Sequence, residues 1–197
     1  MGTVQTPSSP ADPPATPPLW RRALRLVRHR WAEGSARAAF PPALLERLTQ
    51  AVVASERLHT GQIRICIEPG LPMSYVWRGA SARERALTQF GKLRVWDTEA
   101  NNGVLIYLLF AEHAIEIVAD RGLASRVGAS AWQSMVAAMA DTFRRGNYEQ
   151  GLTQVLADVT ALLVAHFPAN ALGGDGAPPH GNELPDEAVL AGRHAAR

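Results

Sequence analysis

The chain has 197 residues, 47% of them hydrophobic, with 20 Lys and Arg against 18 Asp and Glu, which suits one domain with a sizeable core. The charge is unevenly spread: residues 1–40 carry six Arg against Asp12 and Glu33, residues 41–170 balance twelve basic against twelve acidic side chains, and the remainder is acidic by two. A neutral domain without a run of basic and aromatic residues sets nucleic acid aside as a partner, and no stretch reaches the roughly 18 apolar residues of a spanning helix.

Residues 1–18, MGTVQTPSSPADPPATPP, are rich in Pro, Ser, Thr and Ala. They cannot recover the entropy of ordering and are expected to be a disordered leader. They also lack the charged-then-apolar order of a secretory signal, so the expected compartment is the cytoplasm, with the inner face of the membrane as a peripheral site. Residues 19–39 change character. Trp20, Leu24, Val27 and Trp31 recur at i, i+4, i+7 and i+11, while Arg21, Arg22, Arg25 and Arg28 take other faces, the pattern of a basic amphipathic helix. Such a helix either lies on an anionic membrane with its tryptophans at the headgroup level, or docks its apolar stripe on the domain and leaves the arginines in water. One short helix binds lipid weakly, so docking is the preferred expectation.

The domain proper is expected over residues 40–168. Ala43 to Leu58 reads as a helix with Leu44, Leu45, Leu48, Val52 and Ser55 inward. Gln62 to Glu68 alternates, with Ile63, Ile65 and Ile67 on one face and Arg64 and Cys66 on the other. Cys66 is the single cysteine, so it has no internal partner for a disulfide and suits a reducing compartment. The segment from Glu68-Pro69-Gly70 to Gly79 has no period and is expected to be loop, with Met73, Tyr75, Val76 and Trp77 available to cover the sheet. Ser81 with Glu84 three residues on is a capping box, and Ala86, Leu87, Phe90 and Leu93 form the stripe of the helix it starts.

Trp96 to Gly122 is the stretch around which the rest is arranged. A polar turn, Asp97 to Gly103, leads into the apolar run Val104–Phe110, Glu112-His113 breaks it, and Ala114–Ala119 follows as a second strand. The pair is expected to be a β-hairpin whose loop includes Ala111 and Ala114, because Glu-His lacks the Asn or Gly of a tight turn. A helix between the first strand and this pair favours parallel pairing through a right-handed crossover. Two helices follow, one from Ser130 to Gly146-Asn147 and one ending at His166, and Pro168 closes the domain. Residues 169–197 are expected to be a poorly ordered tail in which Leu184-Pro185 and Val189-Leu190 could dock.

The Asp, the short polar gap, Asn102-Gly103-Val104-Leu105-Ile106, the charged turn and Arg121-Gly122-Leu123 resemble the TPM domain family, which includes thylakoid-lumen acid phosphatase-like proteins, and within it a soluble bacterial branch. HTGQIRICIE at 59–68, FRRGNYEQGL at 143–152 and HFP at 166–168 extend the resemblance from Phe40 to Pro168. It implies a small α/β sandwich. With the elements above, that is a three-layer arrangement with a mixed sheet of three to four strands flanked by helices, and a C-terminal helix pair.

The resemblance also implies acidic residues around a divalent ion, usually calcium, at the strand ends, with phosphatase activity in some members. Asp97 matches the acidic position ahead of the Asn-Gly turn, and Asn102 matches the Asn. Gln62, Ala124 and Ala129 stand where many relatives carry acids, so calcium is expected to be weakly held at best. Asp120 could compensate by pairing with Asp97. The preferred alternative for both is turn formation or pairing with Arg94 or Arg121. No nucleophile motif is present, and His29, His59, His113 and His166 are expected at the surface or at helix ends. The expected function is a non-catalytic binding module with a protein partner at a membrane-linked assembly; the alternative is a calcium- or other divalent-metal-dependent acid phosphatase.

Overall fold

The computed structural model describes residues 19–169 and 184–191, so the leader 1–18, most of the tail, and the side chains of Leu19, Arg21 and Arg22 lie outside the described residues. The apolar runs become strands. β1 (Gln62–Glu68) and β2 (Gly103–Leu109) pair in parallel from Gln62↔Gly103 to Glu68↔Leu109. β3 (Ala114–Ala119) returns antiparallel to β2. Between β1 and β2 the chain passes through α3 (Met73–Trp77) and α4 (Ala82–Lys92), the crossover that parallel neighbours require. The box at the start of α4 forms: the Ser81 hydroxyl accepts from the Glu84 amide, and the Glu84 carboxylate accepts from the Ser81 amide.

Helices cover both faces of the sheet. α2 (Pro42–Glu56), α6 (Ala129–Arg144) and α7 (Tyr148–His166) supply Leu48, Val52, Phe143, Leu152, Val159 and Leu163, which cluster with Ile63, Ile65, Ile67 and Ile106. On the opposite face Cys66, Leu105, Tyr107 and Leu109 cluster with Val76, Ala82, Ala86 and Val95. The result is a mixed α/β sandwich with α6 and α7 as its C-terminal helix pair.

Three expectations change. Residues 73–77 are a short helix, not loop. β1 is buried on both faces, so the charged Arg64 and Glu68 are interior residues beside Cys66, a small core residue; a parallel strand covered by helices on each side has no solvent face, whatever its alternation. In the hairpin, a 3₁₀ turn at Phe110–Glu112 and His113, at φ 48°, join β2 to β3, with Leu109 opposite Ala114.

The largest departure concerns α1 (Leu19–Ala39). It docks with the face opposite its apolar stripe. Ala32 and Ala36 are buried, and these small side chains let the helix backbone lie close to the domain. Gly70 makes that approach possible, because a Cβ there would lie 2.6 Å from the His29 carbonyl oxygen. The Leu71 amide donates to His29 Nδ1 (3.0 Å), so Nε2 carries the hydrogen and donates to Glu112 Oε1 (2.8 Å). Arg25 Nε donates to the same oxygen (2.6 Å), and Arg25 Nη2 donates to the Ala80 carbonyl. Burial would raise the Glu112 pKa, but the bonds from His29 and Arg25 outweigh it and hold the carboxyl at about 2. The polar anchor turns Trp20, Leu24, Val27 and Trp31 outward, at 59%, 61%, 55% and 78% exposure.

Within the tail, Leu184–Ala191 lies on the sheet. Val189–Leu190 forms β4, parallel to β1 at its outer edge, giving the order β3-β2-β1-β4. Among the described residues no helix is long and apolar enough to cross a membrane.

Candidate functional site

Two loops meet at the amino end of β2. The first, Asp97 to Asn102, enters the strand; the second, beginning at Asp120, leaves β3 and starts α5 (Arg121–Ala124). The Asp120 amide donates to the Gly103 carbonyl (2.8 Å) and the Gly122 amide to the Asn101 carbonyl (2.8 Å). A Cβ on Gly122 would fall 2.5 Å from the Asn101 carbonyl oxygen and 2.6 Å from that of Ala100, so only glycine lets the loops close.

Each acidic candidate has its own partner. Asp97 is turned to Arg94, with Arg94 Nη2 to Asp97 Oδ2 at 3.1 Å. Asp120 is buried and caps α5, Oδ1 accepting from the Arg121 amide at 2.7 Å. Its Oδ2 is buried and meets no donor among the described residues. Asn102 is buried, its amide donating to Thr98 Oγ1 (3.1 Å) and its Nδ2 to Thr60 Oγ1 (3.3 Å), which ties the loop to the start of β1. Arg121 Nη2 donates to Asn101 Oδ1 (3.1 Å), placing a guanidinium where the loop carries its side-chain oxygens.

A hard cation needs several converging oxygens with net negative charge. Here one carboxylate oxygen is left over, Asp97 is engaged by Arg94, and Arg121 brings a positive charge. Among the described residues no three His, Cys, Asp or Glu side chains converge on a point that could hold an ion. These residues do not fit a calcium centre.

Beside this end of the sheet runs a mainly apolar groove of about 650 Å³ between β3 and α6, lined by Ile117, Ala119, Val127, Trp132 and Val136. Arg83 Nη1 donates to the Ile117 carbonyl (2.8 Å) at its rim and so shields the β3 edge.

Of the residues expected on a membrane or partner surface, Trp20 and Trp31 are exposed and Arg28 is half-exposed. Arg25 is the inward anchor already described. Arg21 and Arg22 lie outside the described side chains.

Sequence reasoning missed the buried polar groups. Arg85 Nε and Nη2 grip the Glu68 carboxylate (2.8 and 2.5 Å), and the Tyr107 hydroxyl donates to the same carboxylate (2.7 Å). The Arg85 guanidinium lies 4.8 Å from the Tyr75 ring centroid. Burial, and then the Glu68 charge, push the buried Cys66 thiol up to about 12, towards its protonated form. His59, expected at a helix end, is buried: Nδ1 donates to the Gly61 carbonyl (3.1 Å), which leaves Nε2 to accept from Ser55 (3.0 Å). The alternation of Gln62, Arg64 and Glu68 with Ile63, Ile65 and Ile67 was the signal for Arg64 and Glu68, but it reads identically for a solvated face.

The model of the TPM domain matches residues 37–162. Among solved structures, the NMR structure of BA42 protein from the psychrophilic bacterium Bizionia argentinensis superposes with a TM-score of 0.62 at 24% identity, covering 76% of this chain and 93% of that one. That similarity is one of fold. None of the curated proteins matches the chain.

Proposed function

The chain belongs to the TPM domain family, and from that premise we propose that it works by binding, as a non-catalytic module that settles on an anionic membrane surface through the outer face of α1 and there meets a protein partner. The observation that carries this reading is the direction of the helix. A surface helix normally buries its apolar stripe; α1 instead spends Arg25, His29, Ala32 and Ala36 on docking and keeps Trp20, Leu24, Val27 and Trp31 outside. Exposed Arg28 and Arg30 flank that stripe, and the first acidic residue of the helix is Glu33. An apolar strip with tryptophans near both ends and cations at its margins matches an anionic headgroup layer. The helix on which α1 packs adds exposed Met73 and Trp77.

Co-sedimentation with phosphatidylglycerol vesicles is expected to recover the protein, with recovery falling as salt rises from 0.05 to 0.5 M. Equal recovery on phosphatidylcholine vesicles would defeat the electrostatic half of the reading, and no recovery on either would defeat it altogether. Deleting residues 1–39 is a poor test, because Ala32 and Ala36 belong to the core.

A second reading, a divalent-metal-dependent acid phosphatase, is favoured by one observation, the buried and unpartnered Asp120 Oδ2. Calcium at millimolar concentration is expected to leave the melting temperature unchanged, as the donor set at this end of the sheet requires. A rise in melting temperature that Asp120→Asn abolishes, or phosphomonoester turnover lost in Asp97→Asn, would establish the second reading and remove the first.

A further inference from the structure

Without β4, β1 would be the edge of the sheet, a row of backbone groups open to strand addition. The segment that closes it is short. It pairs as a strand only at Cys66↔Val189 and Ile67↔Leu190, where the Ala191 amide donates to the Ile67 carbonyl (2.8 Å), and otherwise hangs on side chains: the Leu184 amide donates to Gln62 Oε1 (3.1 Å) and the Ala188 amide to Thr49 Oγ1 (3.0 Å). Leu184 is buried and belongs to the apolar cluster on one face of the sheet that also holds Cys66, Val95 and Tyr107, and Ala188 joins the core on the other.

Beside this seat lies Arg64, 5% exposed, whose Nε and Nη1 meet no acceptor among the described residues. A buried guanidinium with unsatisfied N–H groups is costly. The carboxylates that act on it are Asp186 and Glu187 of the segment and Glu56 of α2. Glu56 is the weakest of the three: burial, and then Asp186, push its carboxyl up to about 8, and it bonds to Asp186 and the Ile63 amide. The segment therefore brings negative charge to Arg64 without supplying an acceptor for Nε or Nη1. Its sockets for a Leu and a small apolar residue, its two strand pairings and its unsatisfied cation are those of a peptide site whose resident satisfies it incompletely.

We propose that the outer edge of β1 is a docking site for an extended acidic peptide of a partner protein, and that Leu184–Ala191 occupies it in cis. The recognition is β-strand addition, with main-chain bonds for affinity, the Leu184 socket for register, and Arg64 selecting a carboxylate. The tethered segment competes at the high effective concentration of a short linker, so a peptide of equal affinity displaces it only in large excess, and one that satisfies Arg64 better does so at lower concentration.

The test uses the full chain and a fluorescein-labelled peptide with the sequence of residues 183–192. Anisotropy is expected to show saturable binding to Leu184→Asp and to Val189→Pro, at least tenfold tighter than to the wild-type chain. A peptide with Asn and Gln in place of Asp186 and Glu187 is expected to bind at least tenfold more weakly. If either variant is unfolded by circular dichroism, the wild-type chain decides: excess peptide must strip amide protection from Val189–Ala191 while Ile63–Ile67 stay protected. No saturable binding to a folded variant, unchanged protection in the wild type, indifference to the acidic pair, or a concentration-dependent dimer that takes up no peptide would each overturn the proposal, the last by assigning the edge to a second copy.

Discussion

Replacing Arg85 by methionine is expected to lower stability by about 3–5 kcal/mol, the usual consequence of stripping one partner from a buried ion pair. Arg85 and Glu68 have side chains only 8% and 6% exposed, and the guanidinium takes both carboxylate oxygens. Without it, Glu68 is left with the Tyr107 hydroxyl alone, inside the layer between the sheet and α4. The partners left behind, not the pair's intrinsic attraction, set the magnitude. The triple variant Glu68→Leu, Arg85→Met, Tyr107→Phe removes every member of the network and should recover most of the loss. Urea midpoints at constant slope measure both; a single-variant loss below about 1 kcal/mol, or a triple variant no better than the single, would show that the cluster is wet and weakly coupled.

The second large effect is acid lability through His59. Burial lowers its pKa to about 4 in the folded protein, from an ordinary 6.5. Between those values the unfolded chain binds a proton that the folded chain does not, so stability is present above pH 6.5 and is lost as pH falls towards 4, by about 3 kcal/mol. Glu56 works in the opposite sense: its raised pKa means that stability is lost as pH rises from about 4.5 to about 8. Glu112, held at about 2, contributes stability that is lost only below pH 4.5. The His59 signature is therefore the difference in unfolding free energy between the wild type and His59→Gln across pH 4 to 6.5. A difference that narrows steadily on acidification is expected. A constant one would show that the imidazole is solvated or charges without penalty.

What was legible in the sequence was local. The Ser81 box, the apolar run into β2 and the parallel crossover follow from short-range chemistry, and each is found. The turn of Asp120 towards the backbone was also readable, as was the pairing of Asp97 with Arg94 three residues away; the bond of Asn102 to the Thr60 hydroxyl was not. The orientation of α1 was not. Periodicity locates an apolar stripe but not its neighbour, and the choice fell to Gly70, Leu71 and Glu112, which lie 31 or more residues from the nearest part of the helix. The surroundings of the second face of β1 were not legible for the same reason. Whether Arg64 and Glu68 face water depends on α4, more than a dozen residues downstream, and on a tail segment more than a hundred residues away. Buried charge pairs carry no periodic signal, because each partner alone resembles a surface residue.

The central claim is that the outward face of α1 is a binding surface for anionic lipid, and the most direct measurement compares two altered chains on phosphatidylglycerol vesicles. Leu24→Glu with Trp31→Glu alters only side chains already in water, so the melting temperature is expected to stay within a few degrees while vesicle affinity drops at least tenfold. Trp96→Glu, which changes a half-exposed tryptophan away from α1, is expected to leave affinity unchanged. Equal affinity for the α1 variant and the wild type, or an equal loss in the Trp96 variant, would contradict the account.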